Sequence, residues 1–317
     1  MKVAFHTNQL SIRGTEVAMY DYARYNEEIL GNESFILTRH PSVWKYSDAK
    51  AIEKFEKRFP VFFYKMPEEI EIILADNKAD VFYAQKSGHN DGIISNKIKT
   101  VVHAVFQDYE PHGDKYAFIS EWLSALYNNA HDFVPYMVTL PDENGDMREE
   151  LGIPKGAIVY GRHGGYETFD IPYVKHVVVD IAKARPDIYF LFLNTQKFAD
   201  ESIKNIIYLE QIADLNEKTR FINTCDAMLH ARINGETFGL AIAEFSLRNK
   251  PVITFQYSRD RAHNVMLGSK GIFYSDMIGL KKIINEADFK NKDVDWNCYR
   301  QFNPKDVMEK FNKIFLQ

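Results

Sequence analysis

The stretch Lys2-Val-Ala-Phe-His-Thr-Asn-Gln-Leu-Ser-Ile-Arg-Gly-Thr15 decides the fold of the first part of the chain. A strand-like run at residues 2–6 leads through a loop ending at Gly14 into a helical pattern at residues 15–30. A second strand-like run follows at residues 34–38. Two strands joined by a helix of this length predict a parallel pair with a crossover connection.

The same alternation continues through the first half of the chain. Helical periodicity marks residues 48–58 and 67–77, and the second of these helices starts with Pro67 and Glu68. Further strands are predicted at residues 61–64, 79–84, 100–106 and 115–119. Parallel strands alternating with helices predict one doubly wound domain.

A second domain is predicted from chain length and from a break in the pattern. With 317 residues and 45% hydrophobic content, the chain favours two domains of about 150 residues each. The polar, structure-breaking segment 139–145 predicts the boundary. After it, a strand is predicted at 157–160, a helix at 173–184, and strands at 188–193, 206–209, 227–230, 252–255 and 271–274. The expected fold class is α/β, with two doubly wound Rossmann-like domains, 1–140 and 141–300, facing across a cleft.

Composition excludes several classes of function. A net charge of −5 gives no overall positive field for nucleic acid. Cys225 and Cys298 are far apart and form no CxxC pair, so no disulfide framework or zinc site is expected, and a reducing cytoplasmic compartment is indicated. The sequence has no run of about 18 apolar residues, so we expect no transmembrane segment, with peripheral membrane contact left open.

The run Asn234-Gly-Glu-Thr-Phe-Gly-Leu-Ala-Ile-Ala-Glu244 is the most informative motif for function. Glu236 and Glu244 are separated by seven residues at a glycine-containing helix start, where the N–H groups of Thr237, Phe238 and Gly239 would favour a bound phosphate. On one helix the two carboxylates would lie about two turns apart and about 80° around the axis, so both could contact one extended ligand. The alternative is an ordinary amphipathic helix with one cap-region Glu and one solvated Glu, and spacing alone does not decide between them.

Other nucleotide and hydrolase motifs are missing from the sequence. It has no G-x-S-x-G nucleophile elbow and no G-x-x-x-x-G-K-[ST] loop. The segment Gly161-Arg-His-Gly-Gly165 does not fit the dinucleotide fingerprint G-x-G-x-x-G. We therefore do not predict a serine hydrolase, a P-loop NTPase or a dinucleotide enzyme.

Four segments resemble the retaining glycosyltransferases of the GT-B fold, family 4 type, over nearly the whole chain. Two of them are the E-x7-E region from Asp226 through Glu244 to Ile253 and the donor-domain entry from residue 146 to Arg162. The others are the loop at Gly14 and the strand end at His103. By analogy with the family, residues 301–317 form a C-terminal helix that packs back onto the first domain.

The resemblance implies a role for each matched residue. Glu244 would bind the ribose hydroxyls of a nucleotide sugar, and Glu236 would hold the donor sugar or stabilise charge at its anomeric carbon. Arg162 would neutralise the diphosphate, with the Thr237, Phe238 and Gly239 backbone adding donors. From the first domain, His103 would line the sugar pocket, and Gly14 would let the backbone approach the phosphates. No metal and no cofactor are implied.

One departure from the family concerns the diphosphate. The family places a Lys about five residues after the Arg, where this chain has Glu167, Thr168 and Phe169. A substitute could be any one of Arg259, Arg261 and Lys270, and the sequence does not choose between them.

The predicted function is therefore a metal-independent retaining transfer of a hexose from a nucleotide-diphosphate sugar to a hydroxyl acceptor, such as a glycan, a lipid or a small molecule. A nucleotide-sugar 2-epimerase of the same fold and a catalytically degenerate sugar-nucleotide binding protein are the alternatives. For single residues, Arg162 could be a surface arginine, His103 a satisfied core histidine, and Gly14 a simple helix entry.

Overall fold

The computed structural model describes residues 1–287, 289 and 293–317 and divides into two compact units. The first comprises Met1–Met137 together with Phe302–Gln317, and the second comprises Val138–Gln301. Asp288, predicted to lie in the second domain like its neighbours 290–292, falls outside the described residues.

The first unit contains a six-stranded parallel sheet flanked by helices. Its strands are β1 (Lys2–Thr7), β2 (Glu33–Arg39), β3 (Val61–Tyr64), β4 (Val81–Lys86), β5 (Lys99–Ala104) and β6 (Lys115–Phe118). Its helices are α1 (Gly14–Glu28), α2 (Ala49–Glu56), α3 (Glu68–Asp76), α4 (Glu121–Leu126) and, from the C-terminal segment, α10 (Pro304–Phe311), which continues into a π-helical turn, Asn312–Leu316. The strand order β3-β2-β1-β4-β5-β6 reverses direction between β1 and β4, as in a doubly wound sheet.

Local signals explain where these helices begin. The Asp48 carboxylate accepts hydrogen bonds from the Lys50 and Ala51 amides and caps α2. Asn303 caps α10 in the same way, with Pro304 at the first helical position. The periodicity of residues 48–58 predicted the start of α2 to within one residue.

Aromatic rings fill one face of the first sheet. Phe311 stacks on Tyr22 at a centroid distance of 5.3 Å and on Phe5 at 6.2 Å. Phe315 lies 5.6 Å from Tyr83, and all of these rings are fully buried. The C-terminal segment is therefore part of the core of the first unit.

The second unit repeats this architecture. Its sheet has the order β14-β12-β10-β7-β8-β9, and all neighbouring strands are parallel. The strands are β7 (Ile158–Arg162), β8 (Ile188–Leu193), β9 (Ile206–Leu209), β10 (Ala227–Leu229), β12 (Val252–Phe255) and β14 (Ile272–Tyr274), and β11 (Gly235–Glu236) pairs separately with β13 (Asp260–Arg261). The helices are α5 (Pro172–Ala184), α6 (Leu215–Thr224), α7 (Leu240–Leu247), α8 (Ala262–Leu267) and α9 (Met277–Glu286).

The order in which strands are added to this second sheet reverses between β7 and β10. Ligands of open parallel sheets bind outside the carboxyl ends of the strands at such a switch point. Arg162 is the last residue of β7, and His230 directly follows β10. The predicted fold class is confirmed: two six-stranded parallel α/β sheets, each doubly wound.

Candidate functional site

Glycine conformations shape the segment that carries the two glutamates. Gly235 has φ +68°, and a Cβ at this position would lie 2.0 Å from the Asp260 carbonyl oxygen, so the close pairing of β11 with β13 requires glycine. Gly239, with φ +90°, turns the chain into α7. Glu236 therefore lies on β11, and Glu244 lies in the second turn of α7.

This placement corrects the prediction that both carboxylates lie on one helix about 80° apart. Because α7 begins at Leu240, the unpaired amides of its first turn are those of Leu240 and its successors, and Thr237 and Phe238 precede the helix. Phe238 is buried, and its carbonyl accepts a hydrogen bond from the Tyr299 hydroxyl at 3.1 Å. The sequence could not show this turn, because an isolated glycine is compatible with both a helix start and a bend.

Glu236 is held by two basic side chains that follow β10. Arg232 Nη1 lies 2.9 Å from Glu236 Oε2, and His230 Nε2 lies 3.5 Å from Glu236 Oε1. The Glu236 side chain is 24% exposed. Burial raises the pKa of this carboxyl, but the neighbouring His230 imidazole and the Arg232 charge lower it by more, to about 2. Glu236 is therefore an ionised carboxylate that remains accessible to a ligand.

Behind Glu236, His230 belongs to a buried polar chain. His230 Nδ1 lies 2.8 Å from Thr254 Oγ1 on β12, which lies 3.2 Å from His263 Nε2 on α8. Burial lowers the pKa of His263 to about 3, so its imidazole is neutral. These contacts fix the orientation of the His230 ring, which in turn faces Glu236.

Glu244 is more deeply buried than Glu236 and has two partners of its own. Lys218 Nζ lies 2.5 Å from Glu244 Oε1, and His163 Nε2 lies 3.0 Å from Oε2. The Glu244 side chain is 10% exposed. Burial raises its pKa, but the Lys218 charge and the His163 imidazole lower it to about 2. Asp214 caps α6 through the Glu217 amide at 2.9 Å and so positions Lys218 in the first turn.

Arg162 has a different environment from the one predicted for it. Its two terminal nitrogens donate to four acceptors, at 2.5–3.1 Å: the carbonyl oxygens of Asn194 and Gly165 and the hydroxyls of Thr195 and Thr168. The side chain is buried, and burial lowers its pKa to about 10. As placed, Arg162 anchors the loop after β7 through these four hydrogen bonds, and its direct contact with a diphosphate stays a prediction.

The three substitutes considered for the missing lysine also have defined positions. Arg259 pairs with Asp260 at 3.1 Å, and Lys270 pairs with Asp295 at 3.1 Å. Arg261 is exposed on β13. Glu167, at the position of the family lysine, is exposed on the loop that Arg162 anchors.

Two predicted site residues lie in the first unit. Gly14 is exposed and is the first residue of α1, which is compatible with the simple helix entry that was its alternative. His103 is completely buried on β5: its Nε2 donates to the Val134 carbonyl at 2.8 Å, so its Nδ1 accepts from the Tyr83 hydroxyl at 2.6 Å. Burial lowers the His103 pKa to about 3. Burial and a hydrogen bond at each ring nitrogen favour the alternative of a satisfied core histidine, and the catalytic role stays a prediction.

Sequence reasoning missed four polar side chains at this site. His163 follows β7, His230 and Arg232 follow β10, and Lys218 comes from α6. Three of them had a usable signal, because polar residues directly after buried strands lie at the ligand edge of a parallel sheet. Lys218 is brought in by tertiary packing alone.

Two general properties bear on the chemistry of the chain. Among residues 1–287, 289 and 293–317, no three His, Cys, Asp or Glu side chains are grouped as a metal site would need. Within the same ranges, every helix is too short or too polar to cross a bilayer.

Comparison with known proteins gives structural matches only. No protein-family model and no curated protein sequence matches this chain. The structure of Anabaena Alr3699/HepE in complex with UDP and glucose is 15% identical and aligns with a TM-score of 0.71 over 99% of this chain and 98% of that chain. A glycosyltransferase from Rickettsia africae ESF-5 is 13% identical, with a TM-score of 0.71 over 99% of this chain and 97% of that chain. A putative UDP-N-acetylglucosamine 2-epimerase from Listeria monocytogenes is 12% identical, with a TM-score of 0.62 over 98% of this chain and 94% of that chain. At these identities the matches establish the fold, which is GT-B over the full chain.

Proposed function

We propose that this chain is a retaining glycosyltransferase of the family 4 type, which moves a hexose from a nucleotide-diphosphate sugar to a hydroxyl acceptor. The observation that carries the proposal is the pair Glu236 and Glu244, two ionised carboxylates on either side of the Gly239 turn. Carboxylates accept strongly from sugar hydroxyls, and the start of α7 between them favours a phosphate.

The roles of the two glutamates are those that the resemblance to the family 4 glycosyltransferases implies. Glu236, the more accessible of the two, would accept hydrogen bonds from the donor sugar and stabilise positive charge at the anomeric carbon. Glu244 would accept from the ribose hydroxyls. The diphosphate would lie against the start of α7, near the backbone of Thr237, Phe238 and Gly239, while Arg162 would hold the loop after β7 in shape.

The transfer itself would proceed with retention at the anomeric carbon. The acceptor oxygen forms a bond to that carbon on the face from which the diphosphate departs. The bond between the anomeric carbon and the diphosphate oxygen breaks. The acceptor proton passes to an oxygen of the leaving diphosphate. The role of the protein is to place charge and amide dipoles where the leaving group develops negative charge, which is commonly a large part of catalysis.

A donor screen followed by a matched pair of variants tests this proposal. UDP- and GDP-sugars are first screened for thermal stabilisation, because a ligand that binds only the folded state raises the melting temperature. With the donor found, Glu236→Gln should lower kcat/KM by about 100-fold or more, as loss of a preorganised charge does. Glu201→Gln, at a side chain 84% exposed, is the control and should match the wild type. A Glu236→Gln variant as active as the wild type, or a product of inverted anomeric configuration, would contradict the proposal.

The 2-epimerase alternative has support from the Listeria monocytogenes neighbour of the same fold. An epimerase acts on the nucleotide sugar without an acceptor, whereas a transferase needs one. Incubating the donor alone and analysing the sugar by NMR separates the two reactions. Tight binding with neither reaction would instead identify a sugar-nucleotide binding protein.

A further inference from the structure

The missing lysine leaves the donor diphosphate without its usual exposed cation. Arg162 cannot easily supply it, because the four N–H groups of its terminal nitrogens already donate to four protein acceptors. Turning that guanidinium toward a ligand would break these four hydrogen bonds.

Arg232 has the properties that Arg162 lacks. It follows β10 at the switch point of the sheet, its side chain is 28% exposed, and its ion pair joins Nη1 to Glu236 Oε2 at 2.9 Å. A guanidinium has five N–H donors in all, and two of them can contact a phosphate in a bidentate manner.

The charge on Arg232 also acts on Arg162. Burial has the largest effect on the Arg162 pKa, which it lowers. The next largest effects are those of the Glu236 charge, which raises this pKa, and of the Arg232 charge, which lowers it. Glu236 and Arg232 therefore both lie within electrostatic range of Arg162. Arg162 and Arg232 therefore place two positive charges near Glu236, and the Asp170 carboxylate is also within electrostatic range of Arg162.

We propose that Arg232 is the cation that binds the donor diphosphate in this chain, in place of the lysine that the family has after Arg162. This inference rests on the proposed function for the identity of its ligand. On binding, Arg232 transfers from Glu236 to a phosphate oxygen, which frees Glu236 Oε2 for a sugar hydroxyl. His230 would keep the carboxylate in position, because its ring is fixed by Thr254 and its Nε2 faces Glu236 Oε1 at 3.5 Å.

Inorganic pyrophosphate is a suitable probe, because it tests the diphosphate contact without knowledge of the base or the sugar. Calorimetry at fixed ionic strength compares the wild type with Arg232→Gln and with the control Arg185→Gln, which removes an ion-paired arginine of similar exposure (36%) at the C-terminal end of α5. We expect Arg232→Gln to weaken pyrophosphate binding tenfold or more and Arg185→Gln to stay within twofold of the wild type. Unchanged binding in Arg232→Gln, or equal weakening in both variants, would overturn the inference.

A measurement on the unmodified protein covers the case in which Arg232→Gln does not fold. Phenylglyoxal modifies accessible arginines, and peptide mass spectrometry reports each site separately. Pyrophosphate should protect Arg232 at least fivefold and leave Arg185 unprotected, whereas modification of Arg232 at the same rate with and without pyrophosphate would refute its role.

The outcomes also distinguish this inference from the proposed function. If the chain transfers sugar and Arg232→Gln does so as fast as the wild type, the inference fails and the function stands. If pyrophosphate binding depends on Arg232 but neither transfer nor epimerisation occurs with any donor, the function fails and the diphosphate site stands.

Discussion

Neutralising Glu244 should make the second unit less sensitive to acid. The folded-state pKa of Glu244 is lowered from its ordinary value of 4.5 to about 2, so the carboxylate contributes stability above pH 4.5 that is lost as the pH falls toward 2. Between pH 5.5 and 3, a group with these two pKa values loses about 2 kcal/mol of its contribution to the free energy of unfolding. Glu244→Gln does not titrate in this range, so its unfolding free energy should fall by about 2 kcal/mol less than that of the wild type.

The variant should also be less stable at neutral pH. The glutamine leaves Lys218 as a largely buried ammonium without its anionic partner, and breaking such a pair commonly costs about 3–5 kcal/mol. The difference between wild type and variant should therefore be largest near pH 6 and should shrink as the pH falls.

Urea unfolding followed by tryptophan fluorescence measures the free energy of unfolding of the second unit at each pH. Trp44 and Trp122 lie in the first unit and Trp296 in the second, so a background with the first two changed to Phe reports on the second unit alone. Glu201→Gln serves as the exposed control and should follow the wild type at each pH. Equal losses of unfolding free energy in wild type and Glu244→Gln between pH 5.5 and 3 would refute the assignment of Glu244 as a buried, paired carboxylate.

Two further substitutions test positions defined by packing. Gly161→Ala should lower the free energy of unfolding by about 1–3 kcal/mol, because its Cβ would lie 2.1 Å from Cys225 Sγ, whereas Gly156→Ala meets nothing within 4 Å and should be neutral in urea unfolding. His103→Ala should lower it by roughly 2–4 kcal/mol, since a cavity forms and Tyr83 loses its buried partner, while leaving calorimetric affinity for the donor unchanged. A His103→Ala variant that folds as well as the wild type but has lost sugar transfer would restore the catalytic reading.

The fold could be predicted because its signal is periodic and repeated. Short apolar runs alternating with amphipathic segments indicate parallel strands and crossover helices whatever their long-range partners. Boundaries were less accurate: residues 100–106 were predicted as one strand, but β5 ends at Ala104. Val105 and Phe106 continue the apolar run while their amides already bond to the carbonyls of Lys86 and Ser87 in a loop.

The site was predictable only in part, for reasons that differ between residues. The spacing of Glu236 and Glu244 singled out both positions. The basic side chains that keep these carboxylates ionised come from other helices and loops, as Lys218 on α6 does for Glu244. Arg162 was correctly placed at a strand end, yet two of its acceptors are main-chain carbonyls, which have no signature in the sequence. The sequence could not show that the His103 ring is buried, because a strand-end histidine looks the same whether its ring faces a ligand or the core.

The order of the chain constrains how the first unit can be made. Phe311 packs on Tyr22 and Phe5, and Phe315 on Tyr83, in a core whose other members are translated far earlier. Until residues 302–317 have been synthesised, the first unit lacks two of the rings that fill one face of its sheet. The first unit therefore stays incompletely packed until its last residues are made. A nascent chain stalled before Phe302 would expose an aromatic surface to which chaperones bind.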